Sequence, residues 1–182
     1  MSRLKKDKII NDPIYGFVQI EKGIIFNLIE HPFFQRLRRI SQLGLSYLVY
    51  PGANHSRFHH AIGCVFLMNK AIDQIRKKGH KISDKEAEAV CIAILLHDIG
   101  HGPFSHTLEK NIVNINHESL SLFFMQELNE QFGGRLSLVI QIFKNEYKKK
   151  FLYQLVSGQL DMDRLDYLKR DSFYSGVQEG VI

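Results

Sequence analysis

Residues 83–100 read SDKEAEAVCIAILLHDIG, and this stretch decides the fold. Ser83 followed by Glu86 is a capping-box signal for a helix start. From Ala89 to Leu96 the helix is apolar all round, so it must pass through a core rather than lie on one. It ends in His97-Asp98-Ile99-Gly100, which brings an imidazole and a carboxylate to the end of a buried element, before a glycine expected to turn left-handed. Polar groups in such surroundings must be paired or bound to metal to offset their desolvation.

Upstream, residues 57–78 form a second long helix, with Phe58, Ala61, Ile62, Val65, Phe66, Met68 and Ile72 as a broad apolar stripe and Gly79 at the C-cap. His60 lies on the face shared with Gly63 and Leu67. The preceding LGLSYLVYPGANHS, residues 43–56, reads as a loop with an extended piece. From Ile24 to Ile40 the apolar spacing is helical, with a break at His31-Pro32. The opening IINDPIYGFVQIEKG is β-prone but interrupted by Asp12-Pro13 and Gly16, which suggests a short hairpin or turn. Downstream, helices are expected near residues 118–130, 135–146, 151–157 and 160–174. The sequence carries no internal repeat, low-complexity tract or interdomain linker. The fold class is therefore all-α, a single helical-bundle domain over residues 1–182 with a short N-terminal β hairpin or extended segment.

With 182 residues, 45% apolar and 24% charged, the chain has the make-up of a globular domain with a real core. No apolar stretch is long enough to cross a bilayer, and MSRLKKDKII lacks the pattern of a signal peptide, so the expected location is cytoplasmic, with no membrane partner. Cys64 and Cys91 sit inside apolar helical runs and are expected to be small buried hydrophobes rather than ligands. A net charge of +5, with basic clusters at Arg3 to Lys8, Arg36 to Arg39, Arg76 to Lys81 and Lys144 to Lys150, favours anionic partners: nucleotides, nucleic acid or acidic lipid. Most of these lysines are expected on solvated helix faces.

Histidine is the sharpest anomaly. His97, His101, His106 and His117 crowd one region, and His55, His59 and His60 another. Imidazole and carboxylate together suit divalent Mn, Fe, Co, Ni or Zn. Taken alone, His97-Asp98 also fits a helix-ending histidine beside a solvated aspartate, and His60 a hydrogen-bonded core residue. In GQLDMDRLDYLKRD four aspartates share a helix with Met162, Leu165 and Leu168 on its apolar side, and Asp163, Tyr167 and Arg170 fall near one face. For Asp161 and Asp166 a salt-bridged surface position is the preferred reading.

Taken together, these residues resemble the HD superfamily, whose ordered signature of a His, an adjacent His-Asp and a distant Asp is matched by His60, His97-Asp98 and Asp163. FFQRLRRISQLG, YPGANHSRFHHAIG, LLHDIGHGPFSH and DMDRLDYLKRD together resemble its deoxynucleoside triphosphate triphosphohydrolase branch, which includes the sterile-alpha-motif and HD-domain proteins. These stretches run from about Pro32 to Gly176 in the family's order.

The resemblance implies a divalent metal cofactor (Mn, Fe, Ni, Zn or Mg) held by His60, His97, Asp98 and Asp163. It implies attack of a metal-activated water on the α-phosphorus of a deoxynucleoside triphosphate, releasing deoxynucleoside and triphosphate. His106 is expected nearest the reacting phosphate and leaving group, His101 on the phosphates, and His117 paired with Glu109, where the family usually has Asp. Arg57 and Arg164 match phosphate-binding positions. Gln42, Tyr167 and Asp171 match sugar-recognising ones, with Tyr167 placed to disfavour a 2′-hydroxyl. Relatives continue past the equivalent of Ile182 with a helical part that completes the pocket and a homo-oligomer, so the chain is expected to bind metal yet turn over poorly alone. Two alternatives stand beside this: an HD phosphomonoesterase or phosphodiesterase for another nucleotide, and a metal-stabilised regulatory module binding nucleic acid.

Overall fold

The computed structural model describes residues 7–104 and 114–177. Strands β1 (Lys8–Asp12) and β2 (Gly16–Ile20) pair antiparallel, from Lys8 opposite Ile20 to Asp12 opposite Gly16. The hairpin closes because the Asp12 carboxylate accepts hydrogen bonds from the Ile14 and Tyr15 amides, at 2.8 and 3.0 Å, while Gly16 takes φ +77°. The expected hairpin is present, and the rest of the described fold is helical.

Helix α1 (Ile24–Glu30) ends at His31, which Pro32 holds extended at ψ 139°. The His31 ring then accepts from the Phe33 amide and caps α2 (Pro32–Gln35), which runs into a 3-10 turn over Arg36–Arg39. A second 3-10 turn, Ser46–Leu48, interrupts the expected loop, and a bridge between Ser41 and Ser56 supplies its extended part. Helix α3 (Arg57–Lys77) stops with Gly79 at φ +88°. Helix α4 (Asp84–Leu96) opens with the Ser83–Glu86 capping box. It is buried from Ala89 to Leu96 and packs against α3, α1 and two later helices.

After the undescribed stretch come α5 (His117–Gln131), α6 (Ser137–Phe143), α7 (Lys150–Val156) and α8 (Met162–Ser175). α6 is shorter than expected because Asn145 turns left-handed at φ 56°, which an asparagine tolerates. α8 starts later because Asp161 stands outside it as the N-cap, accepting from the Arg164 amide at 2.7 Å. α8 lies along α3, which places its inward face beside His60.

The structure refines the sequence reading at three places, and at one of them, Asp161 and Asp166, it overturns it. Gly100 is not among the positive-φ glycines. Its missing side chain serves close approach instead, since a Cβ there would fall 2.2 Å from the His117 carbonyl oxygen and 2.4 Å from the Ser121 amide of α5. Asp161 and Asp166 are buried rather than on a salt-bridged surface, while Leu168 is 40% exposed. α8 is turned so that Asp166 and Arg170, which neutralise each other, face inward. The Arg36–Arg39 cluster is not simply solvated either. Arg36 donates to the carbonyls of Ile99 and His101, and the Arg38 guanidinium lies 3.6 Å from the Phe58 ring centroid.

Candidate metal centre

Three buried elements meet at one point. α3 supplies His60 from its second turn, the end of α4 supplies His97 and Asp98, and the first turn of α8 supplies Asp163. His60 Nε2 lies 3.4 Å from His97 Nε2 and 3.0 Å from Asp163 Oδ1. His97 Nε2 is 3.5 Å from both Asp163 Oδ1 and Asp98 Oδ1, and Asp98 Oδ2 is 3.8 Å from His60 Nε2. Ligands held at about 2.1 Å around one ion stand roughly 3.0–3.4 Å apart in octahedral or tetrahedral order. His60, His97 and Asp163 therefore fit a divalent ion with little adjustment, while Asp98 borders them and also groups with His101 and His117.

Both imidazoles present Nε2 inward because Nδ1 is occupied. In His60 Nδ1 meets Asp166 Oδ2 at 2.8 Å, and in His97 Nδ1 meets the Ile94 carbonyl oxygen at 2.6 Å. Burial works against a charge on His60, but Cys64 and the carboxylates of Asp163 and Asp166 push its pKa well up. Burial also opposes charge on His97, which Asp98 and Asp163 outweigh. Asp98 is held far below the usual carboxylate range, against burial, by His97, Arg57 and His101. Asp163 is drawn low in the same way by His60 and His97. Both carboxylates are thus held in the anionic form that ligation of a dication requires.

The sequence expectation for Cys64 needs amendment. It is a buried thiol, pushed up to about 12 by burial, but its sulfur sits 3.6 Å from both His60 ring nitrogens and so adjoins the centre.

The turn after α4 is pinned from two sides. Ser121 of α5 donates to the His97 carbonyl oxygen at 2.6 Å and accepts from the Gly100 amide at 2.9 Å. Arg36 holds the carbonyls on the other side. Neither residue was singled out from sequence, since a serine in a helix and an arginine in a basic run look ordinary.

The other expected site residues fall into groups. His101 is buried, with Nε2 3.4 Å from Asp98 Oδ1, and its ring stacks on His117 at 3.9 Å. Burial pushes the His101 imidazole down to about 4, against the pull of Asp98. His117 lines a cavity of about 130 Å³ together with His97, Asp98, Asp163, Tyr153 and Ser157. Arg57 is buried and ion-paired with Asp98. Arg164 is exposed one residue beyond Asp163.

Tyr167 and Asp171 line a second, more open cavity of about 430 Å³ with Leu43, Tyr50 and Leu168. Asp171 also meets His55 Nε2 at 2.7 Å. Gln42 follows the bridge residue Ser41, and its buried side-chain oxygen finds no hydrogen-bond partner among the described residues. That oxygen is thus not tied to backbone and can accept from a ligand. His106 and Glu109 lie outside the described residues.

An all-helical scaffold that aims two imidazoles and two carboxylates at one point, beside a cavity, defines a protein whose cofactor is a divalent metal ion. The HD domain family matches residues 57–171, and the chain belongs to that family. It is 38% identical over 185 residues to protein YwfO of Bacillus subtilis, covering 98% of this chain and 42% of that protein. It is 35% identical over 195 residues to the deoxynucleoside triphosphate triphosphohydrolase SAMHD1 homolog of Dictyostelium discoideum, covering 96% and 38%. A solved phosphohydrolase from Bacteroides thetaiotaomicron superposes with a TM-score of 0.93 at 62% identity, covering 94% of this chain and 44% of that one. The chain thus spans less than half the length of these relatives. Among the described residues no helix is long and apolar enough to cross a membrane.

Proposed function

We propose that this chain is the catalytic domain of a metal-dependent phosphohydrolase that splits deoxynucleoside triphosphates into deoxynucleoside and triphosphate. The convergence of His60, His97 and Asp163 within 3.0–3.5 Å of one another, with Asp98 3.5 Å from His97 and 3.8 Å from His60, beside a cavity lined by His117, carries this reading. A divalent ion there supplies Lewis acidity toward a phosphoryl oxygen and acidifies a water molecule. The four side chains would hold that ion.

Water adds to the α-phosphorus and gives up a proton to solvent, the bond to the sugar oxygen breaks, and the sugar oxygen takes up a proton. His106 donates that proton, His101 steadies the phosphates, and His117 with Glu109 supports them. Arg57 and Arg164 bring guanidinium charge to the polyphosphate, which they can grip in bidentate fashion. The sugar lies toward Gln42, Tyr167 and Asp171. Support comes from the free acceptor on Gln42, from the open cavity beside Tyr167, and from the likeness to a protein named as a deoxynucleoside triphosphate triphosphohydrolase.

The test is product analysis after turnover of each deoxynucleoside triphosphate in heavy-oxygen water, with the metal-loaded protein. The expected products are deoxynucleoside and intact triphosphate, with the heavy oxygen in the triphosphate. Orthophosphate, or deoxynucleoside monophosphate with pyrophosphate, would overturn the assignment and point to another phosphoester hydrolysis.

A further inference from the structure

Behind His60 runs a line of buried charges that the proposed chemistry does not use. His60 Nδ1 meets Asp166 Oδ2 at 2.8 Å. The same carboxylate takes two contacts from Arg170, one turn on in α8: Nε to Oδ2 at 2.8 Å and Nη2 to Oδ1 at 3.0 Å. Arg170 Nη1 then lies 2.9 Å from Asp12 Oδ2 at the corner of the N-terminal hairpin. Asp166, Arg170 and His60 are each 0% exposed and Asp12 only 2%. The Tyr15 ring covers the guanidinium at 5.6 Å and stacks on Phe66 of α3 at 4.8 Å. Gly63, one turn after His60, leaves the room this arrangement needs, since a Cβ there would fall 2.1 Å from Asp166 Oδ1.

From this geometry we infer that Asp166, Arg170 and Asp12 form a positioning relay that fixes His60 for its role as a metal ligand. The inference rests on reading His60 as a ligand. An imidazole can point either nitrogen inward, and only the tautomer with a hydrogen on Nδ1 leaves the Nε2 lone pair for the ion. Asp166 accepts that hydrogen and makes Nε2 more basic. A lone buried carboxylate would rotate or take up a proton. Arg170 holds it bidentately and charged, and Asp12 balances the second half of the guanidinium.

The hairpin, which precedes the matched HD segment of residues 57–171, is thereby part of the metal centre. Asp12 is suited to this because its two oxygens divide the work. Oδ1 closes the turn with the Ile14 and Tyr15 amides, and Oδ2 faces Arg170.

The test uses Co²⁺ as the probe, with its dissociation constant and visible spectrum as readouts and thermal melting recorded alongside. Asp12→Asn keeps an oxygen for the turn and removes only the charge facing Arg170. Asp166→Asn removes the charge beside His60. The expected result is a loss of Co²⁺ affinity of roughly 10–100-fold for Asp166→Asn, with a shifted spectrum. Asp12→Asn should give a smaller loss in the same direction, and the double variant should be no worse than Asp166→Asn, because both act through one relay. Unchanged Co²⁺ affinity in Asp12→Asn, even with a lower melting temperature, would reduce the hairpin to a structural role and overturn the inference. Independent, multiplying losses would overturn it too. His97→Ala separates the two levels: if it keeps Co²⁺, the ligand assignment itself has failed, and the relay with it.

Discussion

At the scale of single residues, the motifs made the ligand set legible, and the burial of the pairs around it was hidden. His60 and His97-Asp98 stood out because they interrupt apolar helices, Asp163 was chosen among four aspartates through the resemblance to the HD superfamily, and the four side chains adjoin in the structure. Asp166 read as a salt-bridged surface residue and Arg170 as part of the face of Asp163 and Tyr167; only the packing of α8 on α3 shows the two buried and paired. Tyr167 lines the open cavity with Leu43 and Asp171, and in the proposed function it fills the space beside the second carbon of the sugar. Tyr167→Ala should therefore narrow the preference for dGTP over GTP by about tenfold or more, as removal of a steric wall does. Parallel kcat/KM values for the two nucleotides check this; equal rates in the parent protein would remove the role of Tyr167.

At the scale of elements, the helices were readable from apolar spacing and caps, while the reasons for two boundaries were not. The Ser83–Glu86 box predicted the start of α4. Nothing local showed that Glu86 also accepts from Tyr147 and Lys149, at 2.7 and 2.8 Å, joining α4 to the segment before α7. Burial alone would raise the Glu86 carboxyl, but Lys149, Tyr147 and Ser83 draw it down to about 2. Its folded pKa is depressed, so its stabilisation is complete above the ordinary value of 4.5 and is lost as pH falls toward 2. Glu86→Gln should cost about 1–3 kcal/mol at neutral pH, and the gap to the parent should close across that acid window in denaturant titrations.

Gly100 is the second case. Reading it as a helix-ending glycine missed that α5 passes directly over it, a tertiary contact with no sequence signature. Gly100→Ala must push α5 away from the turn that carries His97 and Asp98. A loss of about 1–3 kcal/mol is expected, seen as a melting temperature lower by roughly 3–10 °C, together with weaker metal binding. An unchanged melting curve would contradict the packing described for this turn.

At the scale of the whole molecule, α4 is the axis on which the rest is hung: α3, α6 and α7 pack around it, and α8 reaches the centre across α3. The ion's ligands come from three elements far apart in the chain, so metal binding and folding are coupled, and added metal should raise the melting temperature. Within the basic clusters, Arg36, Arg38 and Lys149 are engaged with other parts of the fold. The candidate cation site lies where α3, the end of α4 and α8 meet. Metal content per chain, measured for the parent, His97→Ala and Asp98→Ala after equilibration with Mn²⁺ and removal of free ion, tests this directly. The parent should retain the ion and both variants should lose it while keeping their helical circular dichroism. Undiminished metal in both folded variants would contradict the centre.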